Sequence, residues 1–181
     1  RNTDNTLAMK LKTDTGLPIL LCSLLVGRGI YTADQAQQYF NGTELSDPLL
    51  IADMDKAVQA IEEAVDNEVK ITVYGDYDCD GVTSTVMLYT HLDAIGADVQ
   101  WYIPTREEGY GLNENAIRKL HDDGTGLIIT VDNGVSAVNE AELIYELGMK
   151  LVITDHHQLP EILPRAEAIV NPHRRDDTSP Y

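Results

Sequence analysis

Basic residues are scarce in this chain of 181 residues. It has 13 lysines and arginines against 30 aspartates and glutamates, which gives a formal net charge of −17. A surface that coats nucleic acid needs lysine and arginine to displace counterions. The charge balance therefore argues against such a surface over the chain as a whole. It does not exclude a nuclease, because metal-dependent active sites are built from carboxylates.

Cysteines and long hydrophobic runs are also scarce. Cys22 and Cys79 are too far apart in sequence to indicate a disulfide framework or a zinc-binding C-x-x-C pair. No segment approaches the roughly 20 apolar residues that a membrane span needs, and the apolar run at 18–26 lacks the basic lead of a signal peptide. These absences predict a cytoplasmic protein with reduced thiols and no membrane contact.

The chain begins with Arg1 and ends in the loop-like stretch 174–181, so we expect a piece of a longer protein. Residues 1–16 are polar and aperiodic and predict a flexible lead or a short edge element. The apolar run 18–26 predicts a short helix. Thr32 and Gln35 have the spacing of a capping box that opens a helix reaching about Phe40, and another helix follows Asp53. We expect an N-terminal helical region over residues 1–66.

Beyond this region the hydrophobic pattern alternates between two periods. Strands are predicted at 70–74, 97–103, 126–131, 150–154 and 168–170, and helices at 82–95, 114–121 and 137–147. Alternation of this kind predicts an α/β fold, a parallel β-sheet with helices on both faces, over residues 67–181.

Three of the predicted strands end in acidic or imidazole residues. Ligands of open parallel sheets bind beyond the carboxyl ends of the strands, so these residues should share one crevice. The residues are Asp76, Asp78 and Asp80 after the first strand, Asp132 after the third, and Asp155, His156 and His157 after the fourth. The helix opening at 82–85 offers N–H groups to a phosphate.

Such a crevice needs cations. Two carboxylates at about 4 Å repel each other by roughly 4 kcal/mol at an effective dielectric near 20. Oxygen and imidazole ligands suit Mn²⁺ or Mg²⁺, with Zn²⁺ or iron as alternatives. A pair of ions roughly 3.5–4 Å apart activates a water and clamps a phosphate, which favours phosphodiester hydrolysis.

Two other families share part of this pattern. The spacing of Asp76, Asp78 and Asp80 matches the start of an EF-hand calcium loop, but the twelfth position holds Met87 instead of the required glutamate. An aspartate-nucleophile phosphatase of the haloacid-dehalogenase type would need a later lysine and an acidic pair, where this chain has Asp155-His156-His157.

Three motifs of the chain resemble the DHH superfamily of phosphoesterases. Asp155-His156-His157 is the triplet for which that superfamily is named, and residues 76–81 and 132–134 are similar to its first and second motifs. Further segments are similar to the RecJ branch of that superfamily, and the resemblance extends over roughly residues 17–181. Those segments are 28–30, 53–57, 74–78, 103–104, 108–113 and 170–173.

The resemblance implies roles for individual residues. The implied metal ligands are Asp78, Asp80, Asp132 and His156. The implied catalytic residues are His157, Asp76 and Asp155, of which Asp76 is either a further ligand or a support behind the ligands. The implied substrate contacts are Arg106 and Tyr110.

The resemblance also implies the activity, which is 5′→3′ exonucleolytic degradation of single-stranded DNA in repair and recombination. It implies two Mn²⁺ or Mg²⁺ ions in the complete protein, and a single-strand-binding protein and a helicase as partners. A fourth ligand motif, a DHHA1-type domain and a DNA-binding module are expected after residue 181, so these 181 residues alone should be weak or inactive. Two alternatives stay open: a DHH enzyme of oligoribonucleotides, cyclic dinucleotides or pyrophosphate, and a non-catalytic scaffold of replication complexes.

Overall fold

The computed structural model describes residues 5–42 and 46–180. Packing divides the chain into two units, Arg1–Leu45 and Ser46–Tyr181. The first unit contains helices α1 (Asn5–Thr15), α2 (Ile19–Gly27) and α3 (Ala33–Asn41). Its small core is formed by Ala8, Leu11, Cys22, Leu25, Val26 and Ala36.

Helix α1 corrects one prediction. The stretch 1–16 was expected to be a lead or an edge element, but residues 5–15 are helical, and residues 1–4 lie outside the described part. Ala8 and Leu11 are three residues apart and fully buried, so α1 is stabilised by packing against α2 and not by a strong pattern of its own.

The other helices of this unit agree with their predictions. The apolar run is α2, and the Thr32 hydroxyl accepts a hydrogen bond from the Gln35 amide at 3.2 Å. The Gln35 side chain in turn accepts from the Thr32 amide at 3.2 Å. This reciprocal pair is the predicted capping box, and it sets the start of α3.

The second unit is an α/β domain with a five-stranded sheet. A 3₁₀ turn (Pro48–Leu50) and helix α4 (Met54–Asp66) come first. The remaining elements are β1 (Ile71–Tyr74), α5 (Cys79–Ala94), β2 (Val99–Tyr102), α6 (Glu114–Asp122), β3 (Leu127–Val131), α7 (Val138–Glu146), β4 (Lys150–Thr154) and β5 (Ala168–Val170). The strand order is β2-β1-β3-β4-β5, and every pair is parallel, as predicted.

Alternate side chains of the strands enter two separate cores. Ile71 and Val73 of β1 pack in the core that includes residues of α4 and α5. Tyr74 packs in the other core, with residues of α6 and α7. Both faces of the sheet are therefore covered by helices, which explains why its strands are almost continuously apolar.

Helix α4 packs beside the edge strand β5. The compact units consequently divide earlier in the chain than the boundary expected between residues 66 and 67. The extent of the catalytic domain itself, predicted as 67–181, stays a prediction.

The strand order positions the site. Strand β1 pairs with β2 on one side and β3 on the other, so the connections that leave β1 and β2 run in opposite directions along the sheet. A crevice opens beyond the carboxyl ends of the strands at such a switch point. The acidic segment after β1 and the segment after β3 meet there.

Candidate metal centre

Carboxylates and imidazoles from three strand ends form two overlapping clusters. In each cluster one potential ligand atom per residue lies within 4.8 Å of the others. The first cluster is Asp76, Asp78 and Asp132, and the second is Asp132, His156 and His157. Asp132 belongs to both, so its carboxylate is the centre of the arrangement.

The segment after β1 brings Asp76 and Asp78 together through a tight turn. Asp78 caps α5, because its carboxylate accepts a hydrogen bond from the Gly81 amide at 3.0 Å. Helix α5 therefore begins at Cys79 and not near residue 82 as predicted. Gly81 lies against the backbone of Asp76, where a Cβ atom would be 2.6 Å from the Asp76 nitrogen. Only glycine fits this contact without a shift of the main chain.

Asp132 follows β3 in the left-handed region, with φ of 63°. A residue other than glycine in that region is uncommon, and it is often found at functional sites. Its carboxylate is hydrogen-bonded to the His156 imidazole, with Asp132 Oδ1 2.8 Å from His156 Nε2. The backbone turn after β3 thus directs a buried carboxylate toward the histidines that follow β4.

Asp155 organises the Asp-His-His segment. Its Oδ1 accepts from the amides of His156 at 2.7 Å and His157 at 3.0 Å, and its Oδ2 accepts from the Val135 amide at 3.0 Å. The same Oδ1 lies 2.7 Å from His157 Nδ1. Asp155 is therefore occupied by donors and orients the loop and the His157 ring.

The electrostatics of the centre divide the carboxylates. Burial, together with the negative charge of Asp78, raises the pKa of Asp132 above its usual value. The Gly81 amide lowers the pKa of Asp78. The hydrogen bond to Asp155 raises the pKa of His157. The surrounding protein thus disfavours the charged form of Asp132 and favours that of Asp78.

The donor set fits a divalent cation. Asp76 is 2 % exposed, and in the described part of the chain its Oδ1 has no hydrogen-bond partner. Among the described residues, Asp132 and Asp155 form ion pairs with the two histidines and with no lysine or arginine. A buried carboxylate oxygen without a donor is costly unless a cation neutralises it. Carboxylate and imidazole ligands are those of Mn²⁺ and Mg²⁺ sites, and Zn²⁺ and iron also accept them.

Two of the predicted residues lie beside these clusters and not within them. Asp80 lines a crevice of about 390 Å³ that is also lined by Asp132, Asp155 and His156, but among the described residues it is not in either ligand cluster. The Arg106 guanidinium lies 5.1 Å from the centre of the Tyr77 ring, beside Asp76 and Asp78 in sequence. Their predicted roles stay predictions.

Tyr110 reaches the centre from the loop after β2. Its hydroxyl donates to the Asp132 carbonyl oxygen at 3.1 Å and lies 3.3 Å from His157 Nδ1. Its ring meets the His157 ring edge to face, with 5.8 Å between the centroids. The loop residue predicted as a substrate contact therefore also contacts two other residues of the site.

Two buried asparagines of the centre were given no role by the sequence. Asn133 donates to the Tyr74 carbonyl at 3.2 Å, which ties β1 to the turn after β3. Asn171, directly after β5, donates to the His157 carbonyl at 3.0 Å. Each is a polar residue that follows a buried strand at the same sheet edge. That position in the sequence could have indicated that both asparagines belong to the centre.

The fold and the donor set define a doubly wound α/β domain with a carboxylate–imidazole metal centre at its switch point. The family model described as "DHH family, N-terminal domain" matches residues 70–180. The chain therefore belongs to the DHH family.

The similar proteins include single-stranded-DNA-specific exonucleases RecJ. The chain is 46 % identical to the Bacillus subtilis protein over 166 residues, which are 90 % of this chain and 21 % of that protein. It is 36 % identical to the Escherichia coli protein over 166 residues, 91 % of this chain and 28 % of that protein. The chain thus spans between 21 % and 28 % of the length of these relatives.

Solved structures lead to the same family. A crystal structure of exonuclease RecJ bound to manganese matches with a TM-score of 0.68 and 34 % identity, over 75 % of this chain and 35 % of that one. The Mn²⁺ complex of RecJ from Thermus thermophilus matches with a TM-score of 0.70 over 96 % of this chain and 24 % of that one. At 24 % identity the second match supports the fold alone.

Among the described residues, none of the helices has both the length and the hydropathy needed to cross a lipid bilayer. Both cysteines are free, with Cys22 buried and Cys79 exposed.

Proposed function

We propose that this chain forms the metal-binding part of a Mn²⁺- or Mg²⁺-dependent exonuclease that degrades single-stranded DNA from the 5′ end in repair and recombination. The observation that carries the proposal is the meeting of Asp76, Asp78, Asp132, His156 and His157 beyond three parallel strands. The RecJ relatives, which are named for action on single-stranded DNA, support the substrate.

The ligand clusters support the roles proposed for Asp78, Asp132 and His156, while that of Asp80 rests on the family resemblance. The proposed metal ligands are Asp78, Asp80, Asp132 and His156. Buried Asp76, whose Oδ1 has no hydrogen-bond partner among the described residues, is proposed as a further ligand. Divalent ions held there would supply an activated water and neutralise the phosphate. Asp155 orients His157, and His157 is proposed to contact the scissile phosphate or the attacking water. Orientation of this kind by a neighbouring carboxylate is common at metal sites.

The substrate strand is proposed to pass the loop after β2. Arg106, placed over Tyr77, would contact a phosphate of the strand. The Tyr110 ring, with the residue 51 % exposed, offers a surface on which a base stacks, as aromatic residues do in single-strand binders.

The test is digestion of single strands labelled at the 5′ or the 3′ end by the protein expressed from its complete gene. A divalent ion, Mn²⁺ or Mg²⁺, should be required, label should be released first from the 5′ end, and duplex DNA should resist. Asp78→Asn should lower kcat/KM by at least roughly a hundred-fold, as loss of a metal ligand does.

The matched control is Asp93→Asn. Asp93 lies exposed near the other end of α5, and this variant should keep full activity. Faster turnover of oligoribonucleotides, cyclic dinucleotides or pyrophosphate than of single-stranded DNA would favour the alternative of a DHH enzyme that acts on those substrates. Absence of Mn²⁺-dependent turnover on every substrate would favour the scaffold.

We further propose a cytoplasmic location, because two free cysteines suit a reducing compartment. Contacts with a single-strand-binding protein and a helicase follow from the family resemblance alone. Co-purification with those two proteins, in a strain carrying a tagged gene at its own locus, tests them.

A further inference from the structure

The loop between β2 and α6 is held in place on both sides of Tyr110. Before it, the Glu108 carboxylate accepts from the Tyr102 hydroxyl at 2.5 Å and from the Thr105 amide at 2.7 Å. After it, the Gly111 carbonyl accepts from the buried Tyr74 hydroxyl at 3.0 Å. Tyr110 is therefore presented by a loop that is anchored on both sides of it.

The hydroxyl of Tyr110 connects two segments of the centre. It donates to the backbone carbonyl of Asp132, whose φ of 63° sets the direction of the central carboxylate. A hydroxyl has one hydrogen and two lone pairs. Once the hydrogen is donated to Asp132, the oxygen faces His157 Nδ1 as an acceptor at 3.3 Å.

The contacts of His157 select one tautomer. Asp155 Oδ1 is 2.7 Å from Nδ1, and a carboxylate can only accept, so Nδ1 carries the hydrogen. Both oxygens that face Nδ1, those of Asp155 and Tyr110, are then acceptors. Nε2 is left with its lone pair free to accept a hydrogen bond from water or to coordinate an ion. The hydrogen bond made by Nδ1 thus sets the tautomer and leaves Nε2 as the nitrogen with a free lone pair.

We propose that Tyr110 is a positioning residue for the hydrolytic reaction. Its hydroxyl fixes the position of the His157 imidazole relative to the Asp132 carbonyl. This inference rests on the proposed function, and it assigns the hydroxyl a role separate from that of the ring. The ring offers an exposed surface to a base, whereas the hydroxyl contacts Asp132 and His157 of the centre.

Tyr110→Phe separates the two roles because it keeps the ring and removes the hydroxyl. In the protein expressed from its complete gene, kcat should fall roughly ten-fold, the low end for groups that orient metal ligands. KM for single-stranded DNA should stay within about two-fold, since uniform binding is unchanged. Tyr145→Phe is the matched control, because it removes the hydroxyl of a tyrosine on α7 that donates to Glu167 at 2.9 Å. This variant should leave both constants unchanged.

A second readout does not depend on activity. In the metal-free protein, ¹⁵N-labelled imidazoles report the tautomer of each histidine, and His157→Gln assigns the His157 signals. The wild type should show His157 protonated at Nδ1. Tyr110→Phe should shift the Nδ1 proton resonance and speed its exchange with water, while Tyr145→Phe should leave it unchanged.

The outcomes distinguish the two proposals. An inactive wild type with Mn²⁺ overturns the proposed function, while the imidazole signals still test the role of Tyr110. A wild-type kcat and unchanged His157 signals in a folded Tyr110→Phe protein overturn the positioning role. A rise in KM alone would also overturn it, because the hydroxyl would then act on substrate.

Discussion

At the scale of single residues, Asp132 is the point where the demands of folding and of metal binding conflict. It has a left-handed backbone, it is 8 % exposed, and its charge lies next to that of Asp78. A carboxyl group whose pKa is raised in the folded protein destabilises the fold when it is ionised. A cation bound to Asp132, as proposed, would resolve the conflict.

Asp132→Asn should therefore change the metal-free and metal-bound proteins in opposite directions. Without metal at neutral pH, the variant should be as stable as the wild type or more stable by about 1 kcal/mol, since it removes a disfavoured charge and asparagine tolerates left-handed φ. With Mn²⁺ at about 100 times Kd, the wild type should gain about 2.7 kcal/mol. Urea unfolding with and without Mn²⁺ measures both, and an equal Mn²⁺ gain in the variant would contradict the assignment.

Gly81 supports the centre without any chemistry of its own. Gly81→Ala should destabilise the protein by about 1–3 kcal/mol, the usual cost of overpacking, because the new Cβ would meet the backbone of Asp76. Mn²⁺ affinity should fall as well, since Asp76 would be displaced. Thermal melts and Mn²⁺ titration measure the two effects. Gly27→Ala, at a position with open space, is the control and should be close to neutral.

At the scale of elements, the start of α4 is linked to the segment that follows β5. Asp53, which precedes α4, is ion-paired with Arg174 and with Lys56. Arg174 also donates to the Ile169 carbonyl at 2.8 Å. Burial opposes ionisation of Asp53, but the hydrogen bonds from Lys56 and Arg174 outweigh it, so the pKa is lowered. A charged group thus connects α4 to the edge of the sheet.

Asp53→Asn should destabilise the protein by about 1.5–3 kcal/mol at neutral pH, the range for hydrogen bonds to charged groups. A carboxyl whose folded pKa is lowered contributes its stability above the unfolded value, near pH 4, and loses it as pH falls through the folded value. The difference from the wild type should therefore shrink as pH falls below the unfolded value and disappear once the folded carboxyl is also protonated. Urea unfolding from pH 7 to pH 2.5 measures it, with the exposed Glu62→Gln as control. A difference that persists at low pH would mean that packing and not charge is lost.

The elements also separate what the sequence predicts well from what it predicts poorly. Strands β1, β3 and β4 were predicted almost to the residue, because strands buried on both faces are continuous apolar runs. Helix α1 was missed because its few buried side chains make only a weak helical pattern in the sequence. The helix is stabilised by packing against α2. Helix α5 begins earlier than its apolar residues suggest, because the Asp78 cap replaces a hydrophobic start signal.

At the scale of the whole molecule, a net charge of −17 acts on every part of the fold. Excess charge of one sign destabilises a compact state, and salt shortens the Debye length from roughly 30 Å at 0.01 M to about 8 Å at 0.15 M. Raising NaCl over that range should therefore raise Tm, by about 2–4 °C for each 1 kcal/mol gained. Calorimetry measures the shift, and a fall in Tm would mean that attractive ion pairs dominate.

The same charge limits what these 181 residues can do alone. Phosphate contacts that release counterions supply most of the nonspecific affinity for nucleic acid, and this chain has few basic residues to make them. The isolated 181-residue chain should digest single-stranded DNA poorly, and far more slowly than the protein expressed from its complete gene. Processive digestion at moderate salt by the isolated chain would contradict this prediction.

Local sequence patterns were enough to predict the class of fold and the acidic and imidazole residues of the site. Those residues follow buried strands directly, and the carboxyl ends of parallel strands share one edge. Which of them meet became known from the three-dimensional arrangement alone. It brought Asp76 into the first ligand cluster and left Asp80 at the rim, since a cap and a glycine contact set the turn after β1. It also directed the Tyr110 hydroxyl to Asp132 and His157. Contacts between segments distant in sequence depend on packing, which local patterns do not encode.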